Sequence, residues 1–123
     1  MKVFKFGGAS VKDAAGIKNL TTIVSKEKGN LVVVISAFGK TTNALEMVVK
    51  AWLAGGNNYK DHLDNIYSYH SAVAEELFPS GNSAKSKIDI SFALLKEYLL
   101  KAKKSLYDFE YDQVVSYGEI WST

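Results

Sequence analysis

The sequence contains no cysteine and no arginine, and it has one proline among its 123 residues. Without cysteine the chain can form no disulfide, no thiolate zinc site and no thiol nucleophile. Without arginine it lacks the planar fork that binds carboxylates and phosphates through two parallel hydrogen bonds. Every basic residue is therefore a lysine, and several site types are excluded from the start.

Long apolar runs and a strong charge of one sign are also missing. No stretch of about 18 apolar residues occurs, so no membrane span is predicted, and the first residues lack the layout of a signal peptide. The 15 basic and 13 acidic residues give a net charge of +2, too balanced to indicate a nucleic-acid or membrane partner. The composition, 47% hydrophobic and 23% charged, is typical of one globular domain, which we expect to be cytoplasmic.

Two short apolar runs predict strands at residues 2–6 and 31–36. Between them, apolar residues recur every three or four positions from Val11 to Lys28, which predicts a helix. This βαβ pattern favours parallel strands, a right-handed crossover and a sheet covered on its faces. The sequence therefore predicts an α/β fold that begins with a small parallel unit.

The remainder of the chain predicts helices. Thr41 or Thr42 is expected to cap a helix that stops at Gly55, and Asp112 is expected to cap a last helix. Two longer helices are predicted at about 59–78 and 88–106, separated by a loop that holds Pro79. Two strands are too few for a complete parallel domain, so we expect the helices to supply most of the buried surface and the sheet to keep exposed edges.

The first predicted strand leads into paired glycines, Gly7 and Gly8, with Lys5 before them and Ser10 after them. Backbone N–H groups of such a turn can bind a phosphate, the following helix adds the positive end of its dipole, and Lys5 adds a charge. The spacing fits neither the P-loop nor the dinucleotide fingerprint. A tight turn without function is the alternative reading of this segment alone.

Two further segments extend this pattern. The second strand ends in Ser36-Ala37 and leads to Thr42-Asn43, and Ser116-Tyr-Gly-Glu119 lies near the last residue. Together with Lys5-Phe-Gly-Gly-Ala-Ser-Val11, these motifs resemble those of the aspartate kinase family, in the family's order and spacing. One departure is Ala9, where the family more often has threonine.

The resemblance implies a partial amino acid kinase fold, in which residues 1–123 are the N-terminal part of the catalytic domain. The nucleotide-binding half and the regulatory ACT domains would be absent. The implied reaction transfers the γ-phosphoryl group of ATP to the side-chain carboxylate of L-aspartate, giving 4-phospho-L-aspartate for lysine, threonine and methionine synthesis. The intact enzyme would use ATP and Mg²⁺ and form a homo-oligomer. This chain alone, with no tightly bound cofactor, is expected to be inactive.

The resemblance also implies roles for individual residues. Lys5 would be catalytic, and the phosphate-binding or ATP-binding set would be Lys5, Gly7, Gly8 and Ser10, with Lys40 as a secondary member. The aspartate-binding set would be Ser36, Ala37, Thr42 and Glu119, in which Glu119 binds the substrate amino group. No protein-bound metal site is predicted. Lys5, Gly7, Gly8, Ser36, Thr42 and Glu119 are expected to converge around one cleft at the carboxyl ends of the strands.

Other interpretations remain open at this point. The chain could belong to another member of the amino acid kinase superfamily, or it could be a non-catalytic segment that associates with itself. Thr42 could simply cap a helix, and His62 and His70 are expected to be packing residues. The lysines at positions 96, 101, 103 and 104 are expected to lie on a solvent-exposed face of a helix. Binding of nucleic acid by these lysines is a distant alternative.

Overall fold

The computed structural model describes residues 1–123, in which two short strands are followed by a mainly helical remainder. In chain order the elements are β1 (Lys2–Phe6), a 3-10 helix (Gly8–Val11), α1 (Ala14–Ser25), β2 (Leu31–Ile35), α2 (Thr41–Leu53), α3 (Tyr59–Leu77), α4 (Ser83–Lys101), α5 (Tyr107–Val115) and α6 (Tyr117–Ser122). None of the helices combines the length and the apolar character needed to cross a bilayer. The predicted α/β class, a parallel βαβ unit before a helical segment, is confirmed.

The two strands pair in parallel, and their carboxyl ends lie side by side because Phe6 is the register partner of Ile35. Side chains alternate between the two faces of such a sheet. The face that carries Phe6 and Ile35 packs on a small buried cluster of Val11, Phe38 and Val73. The other face stays open, with Val3, Val32 and Val34 exposed to 60%, 44% and 43%. The expectation of a covered sheet is therefore correct for one face only.

The first two helices begin at positions that the sequence did not predict. α1 starts at Ala14 rather than Val11, because the chain first forms the 3-10 helix and the Asp13 carboxylate then accepts a hydrogen bond from Gly16 N at 2.8 Å. α2 starts at Thr41 itself, so Lys40 occupies the capping position and provides no side-chain cap. The predicted capping role of Thr41 or Thr42 is wrong, since both residues already lie inside the first turn.

The later boundaries also differ from the prediction. α4 begins at Ser83 and ends at Lys101, because the Asn82 side chain accepts a hydrogen bond from Ala84 N at 2.8 Å and caps the helix earlier than expected. Asp112 lies in the middle of α5 and caps nothing; the chain then passes through Ser116 into the short helix α6. The predicted apolar faces of α3 and α4 are nevertheless the buried ones.

The main core consists entirely of helical residues, which agrees with the expectation that helices supply most of the buried surface. Its 13 buried members come from α2, α3, α4, α5 and α6. Two buried polar side chains among these helices have partners. Trp52 Nε1 donates to the Leu99 carbonyl at 2.8 Å. Glu110, only 1% exposed, accepts from the Tyr98 hydroxyl at 2.7 Å and from Ser105 N at 3.0 Å. Burial, together with this bond to Glu110, raises the pKa of Tyr98 to about 12.

His70 is completely buried on the inner face of α3, as a packing residue would be. Its Nδ1 lies 2.8 Å from the carbonyl oxygen of Ile66, and four aromatic rings surround the imidazole, from Phe38, Tyr69, Phe92 and Trp121. Burial lowers the pKa of His70, partly offset by the hydrogen bond to Ile66. Folding therefore favours the neutral form of this ring.

Acid should destabilise the protein through His70. The unfolded chain binds a proton at His70 below about pH 6.5 while the folded chain resists it, so stability falls as the pH drops, by up to about 1.4 kcal/mol per pH unit. We expect a His70→Gln variant to lose this part of the pH dependence and a His62→Gln control to keep it. Urea unfolding between pH 7.5 and 5 measures the difference; parallel curves for the wild type and His70→Gln would contradict the assignment.

Candidate functional site

The turns that follow β1 and β2 are joined to each other at the carboxyl ends of the strands. Ser36 N donates to the Phe6 carbonyl at 3.0 Å, and Gly39 N donates to the Gly8 carbonyl at 3.0 Å. A Cβ atom on Gly8 would lie 2.6 Å from the carbonyl oxygen of Gly39 and 2.8 Å from that of Ala37. The backbones approach so closely that only glycine fits at position 8.

The glycine turn presents a free backbone donor close in sequence to a free cation. Gly7 is exposed, its N–H group donates no hydrogen bond within the chain, and the space that a Cβ would occupy is empty. Lys5 is exposed on the open face of the sheet and forms no ion pair. An anion that lies against this turn would therefore meet a backbone N–H group and a lysine ammonium group.

The sequence analysis predicted that the positive end of a helix dipole would lie next to this turn, and this prediction is wrong. A 3-10 helix of only four residues follows Gly7, and α1 begins beyond it. The amino end of α1 already has the carboxylate of Asp13 as its cap, so a negative charge occupies the position that a phosphate would need. Ser10, also in the predicted phosphate set, is exposed, and its backbone N donates to the Gly7 carbonyl at 2.9 Å.

The second turn supplies the residues predicted to hold a substrate. Ser36 and Thr42 are half-buried and Ala37 is buried. Thr42 forms no side-chain hydrogen bond. The alternative in which it only caps α2 is therefore wrong. Its hydroxyl group is free to bind a ligand. The adjacent Thr41 is buried, and its Oγ1 atom has no partner.

The third motif, residues 116–119, lies next to the second turn although it is distant in the sequence. Gly118 is buried at the start of α6, where a Cβ atom would lie 3.0 Å from Cβ of Ala37 and 3.5 Å from Cγ2 of Thr41. Glu119 is exposed next to it, and its carboxylate has no hydrogen bond or ion pair. Ala37 thus contacts the glycine turn through its carbonyl oxygen and the third motif through its methyl group.

Lys40 lies between Gly39 and Thr41, two residues of this junction. It is exposed and without an ion pair at the start of α2, where it lines a cavity of about 520 Å³ between α2 and α3. The other lining residues are Thr41, Ala44, Met47, His62, Asn65, Ile66 and Tyr69. Thr41, which lies beside Gly118 at the junction, lines this cavity, whereas Lys5, Ser36 and Glu119 do not.

Three residues that position the site were not identified from the sequence. Trp121 fixes α6 by stacking on Phe92, with ring centroids 3.8 Å apart, and by donating from Nε1 to the Ser91 hydroxyl at 2.8 Å. His70 contacts the rings of Phe38 and Trp121, and the Tyr69 hydroxyl donates to the Lys12 carbonyl. The sequence offered one signal for these roles: Trp121 follows Gly118 by about one helical turn. No group of three or more histidine, aspartate or glutamate side chains is placed to hold a metal ion.

Comparison with known proteins shows one family. The sequence model of the Amino acid kinase family matches residues 1–123. Aspartokinase 2 of Arabidopsis thaliana, a chloroplastic protein, is 33% identical over 125 residues, which cover 98% of this chain and 23% of that protein. The chloroplastic bifunctional aspartokinase/homoserine dehydrogenase 1 of Zea mays is 29% identical, over 98% of this chain and 14% of its own length.

Two solved structures that resemble this fold are of an aspartokinase as well. Escherichia coli aspartokinase III in complex with lysine and aspartate superposes with a TM-score of 0.77 and 26% identity, over 99% of this chain and 27% of that one. The same enzyme in complex with aspartate and ADP gives a TM-score of 0.77 and 27% identity. The chain thus spans about a quarter or less of each relative, 14% to 27% of its length. It belongs to the amino acid kinase family, and the members it resembles are aspartokinases.

Proposed function

We propose that this chain is the substrate-side part of an aspartate kinase. In the intact enzyme it would help transfer the γ-phosphoryl group of ATP to the side-chain carboxylate of L-aspartate, giving 4-phospho-L-aspartate. The observation that carries the proposal is the meeting of all three motifs at Ala37, although they lie at opposite ends of the sequence. The aspartate present in the similar E. coli enzyme supports the choice of substrate.

On the phosphate side, Lys5 and the glycine turn are the proposed ligands. The exposed ammonium group of Lys5 would neutralise charge on the transferring phosphoryl group, and the free N–H group of Gly7 would bind one of its oxygens. Gly8 acts indirectly, by allowing the two turns to approach. ATP would bring Mg²⁺ with it, since Mg²⁺ at such sites is held largely by phosphates and water. Ser10 belongs to this proposed set through its backbone hydrogen bond to the Gly7 carbonyl, and Lys40 is a secondary member.

On the substrate side, Ser36, Ala37, Thr42 and Glu119 are the proposed ligands of L-aspartate. The unpaired carboxylate of Glu119 would attract the substrate ammonium group, and the free hydroxyl of Thr42 would donate to a substrate carboxylate. The attacking carboxylate of aspartate is a nucleophile at neutral pH, so no general base is required. Glu119 therefore acts as a binding residue in this proposal.

A kinase of an amino acid would be expected to use arginine, and this chain has none, so the arginine and the nucleotide-binding half would come from elsewhere in the protein. The exposed valines on the open face of the sheet could be buried by another part of the protein or by a second copy of it. We propose that the intact protein is a homo-oligomer. The reaction would serve lysine, threonine and methionine synthesis. A cytoplasmic location is proposed, whereas the plant relatives are chloroplastic.

Binding of L-aspartate to the isolated chain tests the substrate assignment. We expect a dissociation constant in the millimolar range, equivalent to about 4 kcal/mol, with NMR shifts at Ala37, Thr42 and Glu119. Succinate, which lacks the amino group, should bind more weakly, and Glu119→Gln should reduce the difference between the two ligands. The exposed Glu76 of α3 offers a control, Glu76→Gln. Equal affinity for aspartate and succinate, or shifts confined to other surfaces, would contradict the assignment.

A further inference from the structure

One face of α4 stays exposed along the length of the helix. Its residues recur at alternating intervals of four and three positions, the spacing of a heptad seam in a coiled coil. All of them are exposed: Ser83, Lys87, Ile90, Leu94, Glu97 and Lys101. The two apolar members lie in the middle, where Ile90 is 62% and Leu94 is 54% exposed. Helices bury a seam with this spacing against another helix, but no element of the chain covers this one.

The order of the residues along this seam is self-complementary for two antiparallel helices. Lys87 and Glu97 each lie five residues from Phe92, and Ile90 and Leu94 each lie two residues from it. If a second copy of α4 crosses the first in the opposite direction at the level of Phe92, residues at equal distances from Phe92 face each other. Ile90 then meets the partner's Leu94, and Lys87 meets the partner's Glu97. The two-fold axis repeats both contacts in the other half of the seam.

The charges favour this orientation over a parallel one. Lys87 is exposed and forms no ion pair within the chain. Glu97 pairs with Lys101 on its own helix, and its two carboxylate oxygens leave room for a second ammonium group. In a parallel pair Lys87 would face the partner's Lys87 and Glu97 the partner's Glu97, and like charges repel each other. The antiparallel pair instead places one ion pair on each side of the apolar centre.

Helix α6 widens the surface beside the seam. Ile120 is 57% exposed and lines a cavity of about 380 Å³ together with Lys87. Tyr117 lines a second cavity, of about 460 Å³, together with Leu94 and Glu97. Both cavities border the seam, so a second copy of the chain would find recesses there for its own side chains.

We propose that the exposed seam of α4 is a two-fold interface between two copies of this chain, in which the α4 helices pair antiparallel. A second copy is favoured over a helix of another protein because the seam matches itself at both its apolar and its charged positions. One helix pair buries little surface, so the dimer is weak, with a dissociation constant on the order of 100 μM. The interface gives the proposed homo-oligomer a defined surface, separate from the exposed valines of the sheet. It does not depend on phosphoryl transfer or on aspartate binding.

Charge reversal tests both the interface and its register. Lys87→Glu alone and Glu97→Lys alone each place like charges opposite one another in a homodimer, so each should weaken dimerisation about tenfold or more. Mixed in equal amounts, the two variants should dimerise about as tightly as the wild type, because each charged contact then joins opposite charges. Sedimentation equilibrium measures the dissociation constants, and circular dichroism checks that these exposed substitutions leave the fold intact.

Lys18→Glu is the matched control, because Lys18 is exposed on α1 and its reversal changes the net charge by the same amount as Lys87→Glu. It should leave the dissociation constant unchanged, whereas Leu94→Ser should weaken the dimer by removing its apolar centre. A wild-type chain that stays monomeric at about 1 mM would overturn the proposal. So would single charge variants that dimerise as well as the wild type, or a mixture of the two that does not recover dimerisation.

Discussion

Replacing Gly8 with alanine is expected to lower the free energy of unfolding by about 3 kcal/mol, at the upper end of the cost of overpacking. The new Cβ would lie 2.6 Å and 2.8 Å from two backbone carbonyl oxygens, which cannot rotate away as a side chain can. One of them belongs to Gly39, whose φ of +51° is a left-handed conformation that few other residues adopt. Relief would require the two turns to separate, and the candidate site would open with them.

Gly7→Ala is the matched control for this change. A Cβ on Gly7 would meet nothing within 4 Å, and its φ of −77° suits any residue. We expect Gly7→Ala to change stability by no more than about 0.5 kcal/mol, as exposed substitutions usually do. Urea denaturation of both variants measures the contrast. Similar stability of the two alanine variants would show that the turns do not pack as described.

Trp121→Ala is expected to destabilise the fold by about 3–5 kcal/mol, the usual cost of truncating a buried aromatic residue. Trp121 is 5% exposed, stacks on Phe92 and donates a hydrogen bond to Ser91, so α6 is held against α4 mainly through this side chain. Its loss would also leave Ser91 without that donor and loosen the packing of Gly118 against Ala37. Thermal unfolding followed by circular dichroism measures the effect.

The neighbouring Ile120 provides the control because it is 57% exposed on the same helix. Ile120→Ala should stay within about 0.5 kcal/mol of the wild type. Trp121→Phe should fall between the two, since it keeps an aromatic ring but removes the indole donor. An Ile120→Ala variant as unstable as Trp121→Ala would indicate that α6 packs in another orientation.

The strands, α3 and the apolar faces of the helices could be predicted from the sequence because they depend on local periodicity. β1 matches its predicted span and β2 ends one residue early, and α3 ends at Leu77, one residue before the prediction. Helix ends depend on single capping contacts that the pattern does not contain. Asn82 and Asp13 provide caps, whereas Thr41 and Asp112 do not. The boundaries of α1, α4 and α5 were wrong for this reason.

The parts of the candidate site that depend on a local motif could be predicted from the sequence. The parts that depend on packing between distant segments could not. Paired glycines indicated a turn whose backbone is open to a phosphate, but they did not indicate that the second turn packs directly against Gly8. The contact of Gly118 with Ala37, the burial of His70 and the support from Trp121 arise only when α3, α4 and α6 pack together. The roles of the individual ligands stay predictions that activity must test.

The most direct measurement of the central claim is aspartate-dependent release of ADP from ATP by two proteins. One is the isolated chain, and the other is a chimera in which residues 1–123 replace the matching 27% of E. coli aspartokinase III. We predict no turnover by the isolated chain, because half a site cannot position both reactants, which is worth about 7–11 kcal/mol of a barrier. The chimera should phosphorylate aspartate, and Lys5→Ala should lower its kcat by about 100-fold or more. Turnover by the isolated chain that Lys5→Ala abolishes, or a folded chimera that binds ADP yet leaves aspartate unphosphorylated, would contradict the account.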